Sequence, residues 1–508
     1  MKKLAVTAVV IAGMAFSHAD AFAQYKTKNA PQETQKSESE LILEEAASSE
    51  APVVITLEQA LQIALSENVS VKVADMEIQR AQYAKKGSYA ALFPQIDATG
   101  AYQRTIKKQV MYMDFDMSSI MGGAGGEGTE LPDGVELPDG VEIPESGEGA
   151  APGGSDNGGG LEVGRWNTWS AGVSAAMPLV NAQLWKSLKI SGLDVELAVE
   201  KARSSRLDMV TQVKNAYFAT LLAKEAFEVY KQVYENAVQN LEETEKKYRA
   251  QKVSDMELLR AKTTVANAIP NVYNAEGSVI LSLWQLKAIL GVDLDMNLDV
   301  AGKLEDWSEH MFYDIHQHDS ISLDRNTTMK QLAIQAEMLA ETIKVQQYAN
   351  IPSLAVAFNF SYNAMTNDFN FSEYRWTPYS YVGLSLNIPI FAGGKRYHAI
   401  RQAKNQYQQV QLQTLNTERQ LKIAIRQSLN TMETNMKSYY ASKDALAAAQ
   451  KGYDIVAKSY QVGRSTLIEV NDAQLALTQA QLGASQAVYN FLTAKAQLEQ
   501  TLGQDFVN

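Results

Sequence analysis

The chain contains two copies of one pattern. At a shift of 212 residues the segment 248–257 lies over 460–469, and Leu290-Gly291 lies over Leu502-Gly503. Upstream the shift grows to 258, where the matching pairs are Asn68 with Asn326, Lys72 with Lys330 and Pro94 with Pro352. Repetition at a long period means that one supersecondary unit is built twice. We therefore predict repeat 1 over 56–291 and repeat 2 over 327–503, each ordered helix, strand, loop, strand, very long helix, tight turn, long helix.

The segments outside the repeats differ from them in composition. Residues 1–23 are typical of a signal peptide, because two lysines and an apolar run precede the small-residue site Ala21-Phe22-Ala23. Residues 24–55 predict a flexible polar arm, 292–326 predict a linker of mixed polarity, and 504–508 form a short tail.

An insertion over 111–165 explains the larger shift upstream of it. It is rich in glycine and acidic residues and contains the hexapeptide Glu-Leu-Pro-Asp-Gly-Val twice in succession. Such sequence cannot bury enough apolar surface to offset the entropy lost on ordering. We therefore predict a mobile loop over 111–165.

The helical pattern is unusually long. No proline interrupts residues 182 to 248, and a continuous helix of that extent would be about 100 Å long. The last helix carries an apolar seam that includes Leu467, Val470 and Leu477, and a second seam of alanines at every seventh residue from Ala473. The small-residue seam of repeat 1 comprises Ala261, Ala268, Ala275 and Ser282. A helix with two such seams has two neighbours, as in a wall of helices laid side by side.

Four segments alternate with the period of a β-strand. Those near 353–363 and 379–391 alternate strictly between apolar and small or polar residues, and weaker versions lie near 95–104 and 166–178. One apolar face along about ten residues is typical of strands in a membrane β-barrel, although a single such strand would also fit a soluble sandwich. Four strands cannot close a barrel, and an open edge in lipid leaves backbone groups unpaired. We therefore expect other copies of the chain to supply the remaining strands.

Composition and motifs exclude several classes of function. The chain has no cysteine, so it forms no disulfide, no thiolate metal site and no cysteine-linked lipid anchor. A net charge of −12 argues against nucleic-acid binding, which requires a basic surface. The histidines beyond the predicted signal peptide match no zinc motif, and they are His310, His316, His318 and His398. With no nucleophile elbow or phosphate-binding loop either, we predict no enzyme, no cofactor and no metal site.

Two motifs resemble the TolC-type outer-membrane efflux protein family. The segment 382–395, Val-Gly-Leu-Ser-Leu-Asn-Ile-Pro-Ile-Phe-Ala-Gly-Gly-Lys, is similar to the family's last strand and its passage into a long helix. The segment 460–474 resembles the family's helix-turn-helix at the periplasmic tip. The resemblance spans about Thr56 to Gly503. It implies a mainly α fold with a membrane β-barrel: a trimeric twelve-stranded β-barrel, four strands per protomer, continued by a long α-helical barrel.

The resemblance also implies a function. Members are passive gated channels in the outer membrane of Gram-negative bacteria that extend into the periplasm. They serve as exit ducts of tripartite efflux or type I secretion systems and dock to a periplasmic adaptor and an inner-membrane pump. For this chain we therefore expect a homotrimer in outer-membrane lipid that binds no nucleic acid, with 24–55 as a periplasmic arm and 292–326 as an equatorial linker. A barrel-anchored coiled-coil surface or structural protein is the alternative.

Candidate site residues lie at the predicted turn of each repeat. Glu469 and Asp472 are three residues apart, so both carboxylates lie on one face of the final helix. By resemblance they match the acidic constriction of the channel, and a ring of such carboxylates from three protomers favours cations. By the same resemblance, the adaptor-docking tip comprises Gln251, Lys252, Val253, Ser254, Gly463, Arg464, Ser465 and Thr466.

Repeat 1 departs from the family pattern at its junctions. Gln251 stands where repeat 2 has Gly463, and Val180-Asn181-Ala182 stands where repeat 2 has Ala392-Gly393-Gly394. Pro270 falls inside a predicted helix, where it removes one backbone hydrogen bond and should introduce a kink. Arg464 has a second possible role, which is to pair with a neighbouring acid and hold the entrance shut.

Overall fold

The computed structural model describes residues 52–111, 161–311 and 322–504. The predicted signal peptide, residues 24–51 of the arm, residues 112–160 of the loop, residues 312–321 and the tail residues 505–508 lie outside the described residues. The α-helices of the described ranges are α1 (Leu57–Glu67), α2 (Val69–Ala90), α3 (Ala182–Arg249), α4 (Asp255–Leu290), α5 (Thr327–Tyr348), α6 (Lys395–Gln461) and α7 (Leu467–Leu502). None of these helices combines the length and the apolarity needed to cross a membrane.

The helices preserve the duplication. α2 and α5 have 22 residues each, and α4 and α7 have 36 each. Each of these pairs begins and ends at the residues related by the shifts of 258 and 212. The longest helices, α3 with 68 residues and α6 with 67, also end at equivalent positions. The predicted internal duplication is therefore present in the fold.

A repeated side-chain contact explains the repeated sequence at the end of each copy. Asn68 donates from Nδ2 to the carbonyl oxygen of Ile289 at 2.7 Å, and Gly291 then ends α4 with a φ of +79°. The counterparts in repeat 2 make the same bond at 2.6 Å, and they are Asn326, Thr501 and Gly503. A Cβ at Gly503 would lie 2.2 Å from the nearest backbone oxygen, so both the backbone conformation and the space require glycine.

The predicted seams of the long helices are buried at most positions, although Ala473, Ala480 and Ala484 of α7 are only partly buried. The small-residue seam of α4 is buried at Ala261, Ala268, Ala275 and Ser282. The apolar seam of α7 is buried at Leu467, Val470, Leu477, Val488, Phe491 and Leu498. α4 continues through Pro270. Helix packing, as predicted from the spacing of these residues, is confirmed at these positions.

The β-strands of the described ranges are β1 (Val53–Ile55), β2 (Gln95–Arg104), β3 (Gln109–Met111), β4 (Leu161–Val163), β5 (Asn167–Val180), β6 (Leu298–Val300), β7 (Ser353–Thr366) and β8 (Thr377–Asn387). β2, β5, β7 and β8 form one antiparallel sheet in the order β2-β5-β7-β8, with β2 and β8 at its edges. The strand register gives this sheet two different faces. One row across it contains Ala98, Val173 and Phe360, and the next row, on the opposite face, contains Thr99, Gly172 and Ser361.

Several segment boundaries differ from the sequence prediction, and three of these differences have a clear physical reason. β8 ends at Asn387, before the predicted end near 391, because Pro389 has no N–H with which to continue the ladder. Residues 53–55 of the predicted flexible arm are ordered, since β1 pairs in parallel with β6 and Ile55 is buried. Both ends of the predicted mobile loop pair with each other as β3 and β4. Strands of three residues are too short to show a period, so the sequence pattern did not predict them.

The chain divides into two compact units. The first contains the described residues of 1–78, 198–333 and 412–508, and the second contains those of 79–197 and 334–411. The first unit holds the main apolar core, in which Tyr217, Leu290 and Phe491 are at most 2% exposed. The Tyr217 hydroxyl donates to the carbonyl oxygen of Ala301 at 2.7 Å, which satisfies its polar atom inside this core.

The second unit holds the four-stranded sheet and a buried carboxylate on α5. The Glu341 side chain is 3% exposed and accepts hydrogen bonds from Lys186 at 3.1 Å, Lys189 at 3.0 Å and Lys344 at 2.9 Å. Burial acts to raise the pKa of Glu341, but the hydrogen bonds from the three ammonium groups outweigh it and lower the pKa to about 2. The carboxylate is therefore charged at neutral pH and ties α3 to α5.

Candidate functional site at the two helical turns

Two helical turns carry the predicted site residues. Turn 1, residues 250–254, connects α3 to α4, and turn 2, residues 462–466, connects α6 to α7. Each turn contains one left-handed residue, Gln251 with a φ of 57° or Gly463 with a φ of 76°. The N–H of the following residue then bonds to the carbonyl five residues earlier, at 2.9 Å from Lys252 and 2.8 Å from Arg464. This pattern satisfies carbonyl groups at the helix end that would otherwise lack partners.

The two turns have the same backbone but different residues at the left-handed position. Within the described residues, Gln251 is the only non-glycine residue with a positive φ. A side chain in this conformation costs roughly 1 kcal/mol, because Cβ approaches the backbone too closely. Turn 1 therefore keeps the geometry of turn 2 at a cost that Gly463 avoids.

The helices that follow the turns begin with side-chain caps. The Thr466 Oγ1 accepts from the Glu469 N–H at 3.3 Å, and the Glu469 Oε2 accepts from the Thr466 N–H at 2.9 Å. This reciprocal pair is a capping box. At turn 1 the Ser254 Oγ accepts from the Glu257 N–H at 3.4 Å. One of the two predicted constriction carboxylates is therefore held in place at the start of α7.

Glu469 and Asp472 are both on the first turns of α7, where Glu469 is exposed and Asp472 follows it on the same face. Two apolar side chains of the same stretch are also exposed, Ile468 at 50% and Leu475 at 57%. Neither carboxylate forms a salt bridge with any cation in the described part of the chain. The start of α7 therefore exposes both carboxylates and apolar side chains, and a single protomer does not cover them.

A buried tyrosine joins the two helical hairpins behind the turns. Tyr460, near the end of α6, is 2% exposed, and its hydroxyl lies 2.6 Å from the Thr244 Oγ1 of α3. Lys247 lies with Nζ 3.6 Å from the centre of the Tyr460 ring and also donates to the Tyr460 carbonyl oxygen. Burial raises the pKa of Tyr460, and a hydrogen bond to the Glu257 carboxylate acts in the same direction. Tyr460 is therefore a neutral hydrogen-bonding group at neutral pH.

The equivalent tyrosine of repeat 1 has a different environment. Tyr248 is 38% exposed, whereas Tyr460 is 2% exposed. A hydrogen bond to Asp255 raises the pKa of Tyr248. Near it on α4, Met256 is 62% exposed and Leu259 is 60% exposed. The tyrosine of repeat 2 is thus packed within the protomer, whereas the tyrosine of repeat 1 is exposed on its surface together with apolar side chains.

The predicted tip residues lie in the two turns. The exposed ones are Gln251, Lys252, Ser254, Gly463, Arg464 and Thr466, and the partly exposed ones are Val253 and Ser465. The Arg464 guanidinium forms no ion pair with a described residue of its own protomer. The sequence-based site did not include Tyr460, Thr244, Lys247 or Glu257. The recurrence of tyrosine at 248 and 460 indicates a structural role for this position in both repeats. The repeat pattern does not predict which of the two tyrosines is buried.

The structure describes only some of the histidines that were considered as metal ligands. His316 and His318 lie outside the described residues. The His398 ring lies 5.4 Å from the ring of its neighbour Tyr397. No group of three or more His, Asp and Glu side chains suited to a metal ion occurs in the described ranges 52–111, 161–311 and 322–504.

Comparison with known proteins relates this arrangement to one family. A family model described as outer membrane efflux protein matches residues 146–292 and 320–504, which is more than half of the chain. The matched ranges contain both helical turns and three of the four strands of the main sheet.

Individual relatives have low sequence identity to this chain, but the aligned regions cover most of each protein. The outer membrane protein TolC of Vibrio cholerae is 21% identical over 342 residues, which cover 66% of this chain and 76% of that protein. The proteases secretion protein PrtF of Dickeya chrysanthemi is 20% identical over 358 residues, which cover 66% and 73%. Among solved structures, the Campylobacter jejuni CmeC outer membrane channel matches with a TM-score of 0.65 and 16% identity, covering 94% of this chain and 93% of that chain. At this identity the structural match establishes a shared fold.

Proposed function

The chain belongs to the outer membrane efflux protein family, and from this membership we propose that it is the outer-membrane exit duct of a tripartite efflux or type I secretion system. It resides in the outer membrane of a Gram-negative bacterium. The duct is a passive gated channel that receives cargo through a periplasmic adaptor and an inner-membrane pump. The observation that carries this proposal is the sheet β2-β5-β7-β8, which has an apolar face, a polar face and two open edges.

The open edges support a closed ring of several copies. β2 and β8 each present one side without strand partners among the described residues, and lipid offers no hydrogen bonds to such an edge. Pairing β8 of one copy with β2 of the next closes a barrel, and three copies supply twelve strands, within the known range of membrane barrels. The apolar face with Val173 and Phe360 then meets lipid, and the face with Thr99 and Ser361 lines the pore.

Exposed apolar residues on the long helices support the same assembly. On α4, Tyr273 is 67% exposed and Trp284 is 51% exposed. On α6, Leu412 is 68% exposed and Ile423 is 65% exposed. Large apolar side chains exposed on the same helices are consistent with a protein–protein contact. We assign these faces to neighbouring protomers in a trimer.

We further propose that Glu469 and Asp472 form the constriction. In a trimer the start of α7 from each copy would bring six carboxylates around one axis, which favours cations. Both side chains are unpaired with described cations in the protomer, which is consistent with a role toward the channel axis. Glu469 also caps α7, so the constriction is fixed by the helix terminus.

Single-channel recording in planar bilayers tests the duct and its constriction together. The double variant Glu469→Gln, Asp472→Asn removes both charges, while the amide oxygen of the introduced glutamine can still accept the capping bond from the Thr466 N–H. We expect the wild type to conduct through a gated pore with a preference for cations, and the variant to lose most of that preference. The control variant Asp295→Asn, Glu305→Gln removes as many charges from the segment between the repeats and should retain it.

Two outcomes would separate the parts of this proposal. A protein that inserts into bilayers without conducting would contradict the duct. A conducting double variant with unchanged cation preference would contradict the constriction alone.

The exposed residues of the two turns are proposed to dock the adaptor. Because the chain has no cysteine, Arg464→Cys introduces a single thiol for crosslinking in the intact envelope. Capture of a periplasmic adaptor would support docking, and Ile280→Cys, at an exposed position on α4 away from the turns, serves as the control. Exclusive crosslinking of the thiol introduced by Arg464→Cys to another copy of this chain would instead support the role of Arg464 in holding the entrance shut.

A further inference from the structure

The polar face of the main sheet carries a pair of exposed tyrosines. Tyr379 and Tyr381 of β8 pair in the strand register with Ser361 and Asn359 of β7, which places all four side chains on the face that contains Thr99. The centres of the two tyrosine rings lie 5.7 Å apart, and both side chains are exposed. We call Tyr379, Tyr381, Asn359 and Ser361 the tyrosine patch.

The side chains beside these tyrosines on the polar face are short. Across the row of Tyr379, β7 contributes Ser361, β5 contributes Gly172 and β2 contributes Thr99. A Cβ at Gly172 would lie 2.8 Å from the carbonyl oxygen of Phe360, so this position has no room for a side chain. The neighbouring positions in the row therefore hold nothing large enough to cover the tyrosine rings.

Pairing between copies would also leave these rings uncovered. β8 is an edge strand, and in the proposed ring its neighbour is β2 of the next copy. The side chains that β2 contributes to the polar face include no aromatic residue and no aliphatic residue larger than alanine, and they are Gln95, Asp97, Thr99, Ala101 and Gln103. At every register between the copies, β2 therefore places no large apolar side chain beside Tyr379 or Tyr381.

The polar face offers hydrogen bonds but almost no charge. Among the paired residues that the described strands β2, β5, β7 and β8 place on this face, Asp97 is the only one with a charged side chain. The Asn359 amide both donates and accepts, and so do the hydroxyl groups of serine and tyrosine. A charged ligand would lose water at this wall without gaining a counter-charge. The ligand that fits is therefore uncharged and rich in hydroxyl groups, with an apolar surface for the tyrosine rings.

We propose that the tyrosine patch binds an uncharged saccharide on the wall of the pore. A pyranose ring has C–H groups on its faces and hydroxyl groups around its edge, so one molecule can stack on a tyrosine ring and bond to Asn359 at the same time. The inference rests on the proposed function, because that function turns the polar face toward the pore. It adds a ligand class to the duct, at the half of β8 that adjoins the loop between β7 and β8.

Saturation-transfer difference NMR of the protein in phosphatidylcholine nanodiscs tests the proposal. The probe is maltohexaose, and polyethylene glycol of similar mass is the uncharged control that has no ring. We expect saturation transfer to maltohexaose and none to polyethylene glycol. Tyr379→Ser, Tyr381→Ser should weaken the maltohexaose affinity by roughly tenfold, because two aromatic faces are lost. Asn359→Ala should weaken it by roughly fivefold, because a hydrogen-bonding group is lost.

Two further variants separate binding from structure. Tyr379→Phe, Tyr381→Phe keeps both rings and should retain most of the affinity for maltohexaose. Tyr362→Ser removes an exposed tyrosine from the opposite face of the same sheet and should bind maltohexaose as the wild type does.

Several outcomes would overturn the proposal. The saccharide site is contradicted by the absence of saturation transfer to maltohexaose, by equal transfer to both probes, or by unchanged affinity in Tyr379→Ser, Tyr381→Ser or in Asn359→Ala. A loss in the phenylalanine variant as large as that in the serine variant would mean that the rings do not stack on the sugar. Conductance in planar bilayers separates this inference from the duct: a channel that conducts without binding maltohexaose contradicts the saccharide site alone.

Discussion

The residue at the left-handed position of each turn sets the local stability of the tip. A Cβ at Gly463 would meet no atom within 4 Å, so the cost of a side chain there comes from the backbone alone. We predict that Gly463→Ala lowers the free energy of local opening at turn 2 by about 1 kcal/mol, and that Gln251→Gly raises it at turn 1. Hydrogen exchange of the Arg464 and Lys252 amides measures these changes.

Gly452 provides the matched control for this prediction. It lies within α6, and a Cβ there also meets nothing within 4 Å. Because its backbone is helical, Gly452→Ala should leave the protection of turn 2 unchanged or increase protection within α6. Equal destabilisation by Gly452→Ala and Gly463→Ala would mean that conformation at the turn is not the cause.

The buried Glu341 should make stability depend on pH. Its folded pKa of about 2 lies below the ordinary value of 4.5, so its stabilising contribution is full above pH 4.5 and is lost as pH falls toward 2. Glu341→Gln should lower the unfolding temperature at pH 7, because three lysines lose a charged acceptor, and should flatten the acid limb of the profile. Thermal unfolding followed between pH 7 and the acid limb measures both effects.

Glu433→Gln serves as the control for that change. Glu433 pairs with Lys437 at 2.6 Å on the exposed surface of α6, and this pair lowers the pKa of Glu433. Water screens such a pair, so its loss should have little effect on stability. An acid limb that is the same in Glu341→Gln and in the wild type would contradict the role given to Glu341.

At the scale of elements, the two helical hairpins are joined by Tyr460. Tyr460→Phe removes the hydroxyl that contacts Thr244 and Glu257 while the ring remains in place. We expect faster hydrogen exchange at the ends of α3 and α6, corresponding to about 1 kcal/mol of lost protection. Tyr248→Phe removes the equivalent hydroxyl from a partly exposed site and should have a smaller effect within the protomer. The reverse order of effects would contradict the assignment of Tyr460 as the joining residue.

The long elements were predictable because their signals are repeated many times. The spacing of Ala261, Ala268 and Ala275 predicts a helix seam, and all three are buried. Alternation over 353–363 predicts a strand, and β7 begins at Ser353. The repeat pattern also predicts where α4 and α7 end, because Gly291 and Gly503 occupy equivalent positions just after them.

The contacts between elements were not predictable in the same way. β1 has three residues and depends on its pairing with β6, which is distant in the sequence, and on the burial of Ile55 in the core. The pairing of Lys186 and Lys189 with Glu341 likewise depends on how α3 lies against α5. At the candidate site, the spacing of Glu469 and Asp472 predicts that both lie on one face of α7. It does not predict the hydrogen bond that the Thr466 N–H donates to Glu469.

At the scale of the whole molecule, the central claim is that four strands per copy close into a barrel only in a trimer. The edges β2 and β8 must then meet between copies, whereas β5 and β7 are paired within each copy. The absence of native cysteine means that introduced thiols are the only ones present. A disulfide between neighbouring edges would therefore report the closed ring without competing reactions.

The most direct measurement is oxidative crosslinking of the double variant Thr99→Cys, Tyr381→Cys in membranes, with Tyr379 and Gly383 as neighbouring positions on β8 that cover the register. We predict a covalent ladder that ends at three copies. Thr99→Cys with Ser361→Cys, which lies on the central strand β7, should give no such ladder. A ladder that ends at two copies, continues beyond three, or is absent at every register would contradict the trimeric barrel.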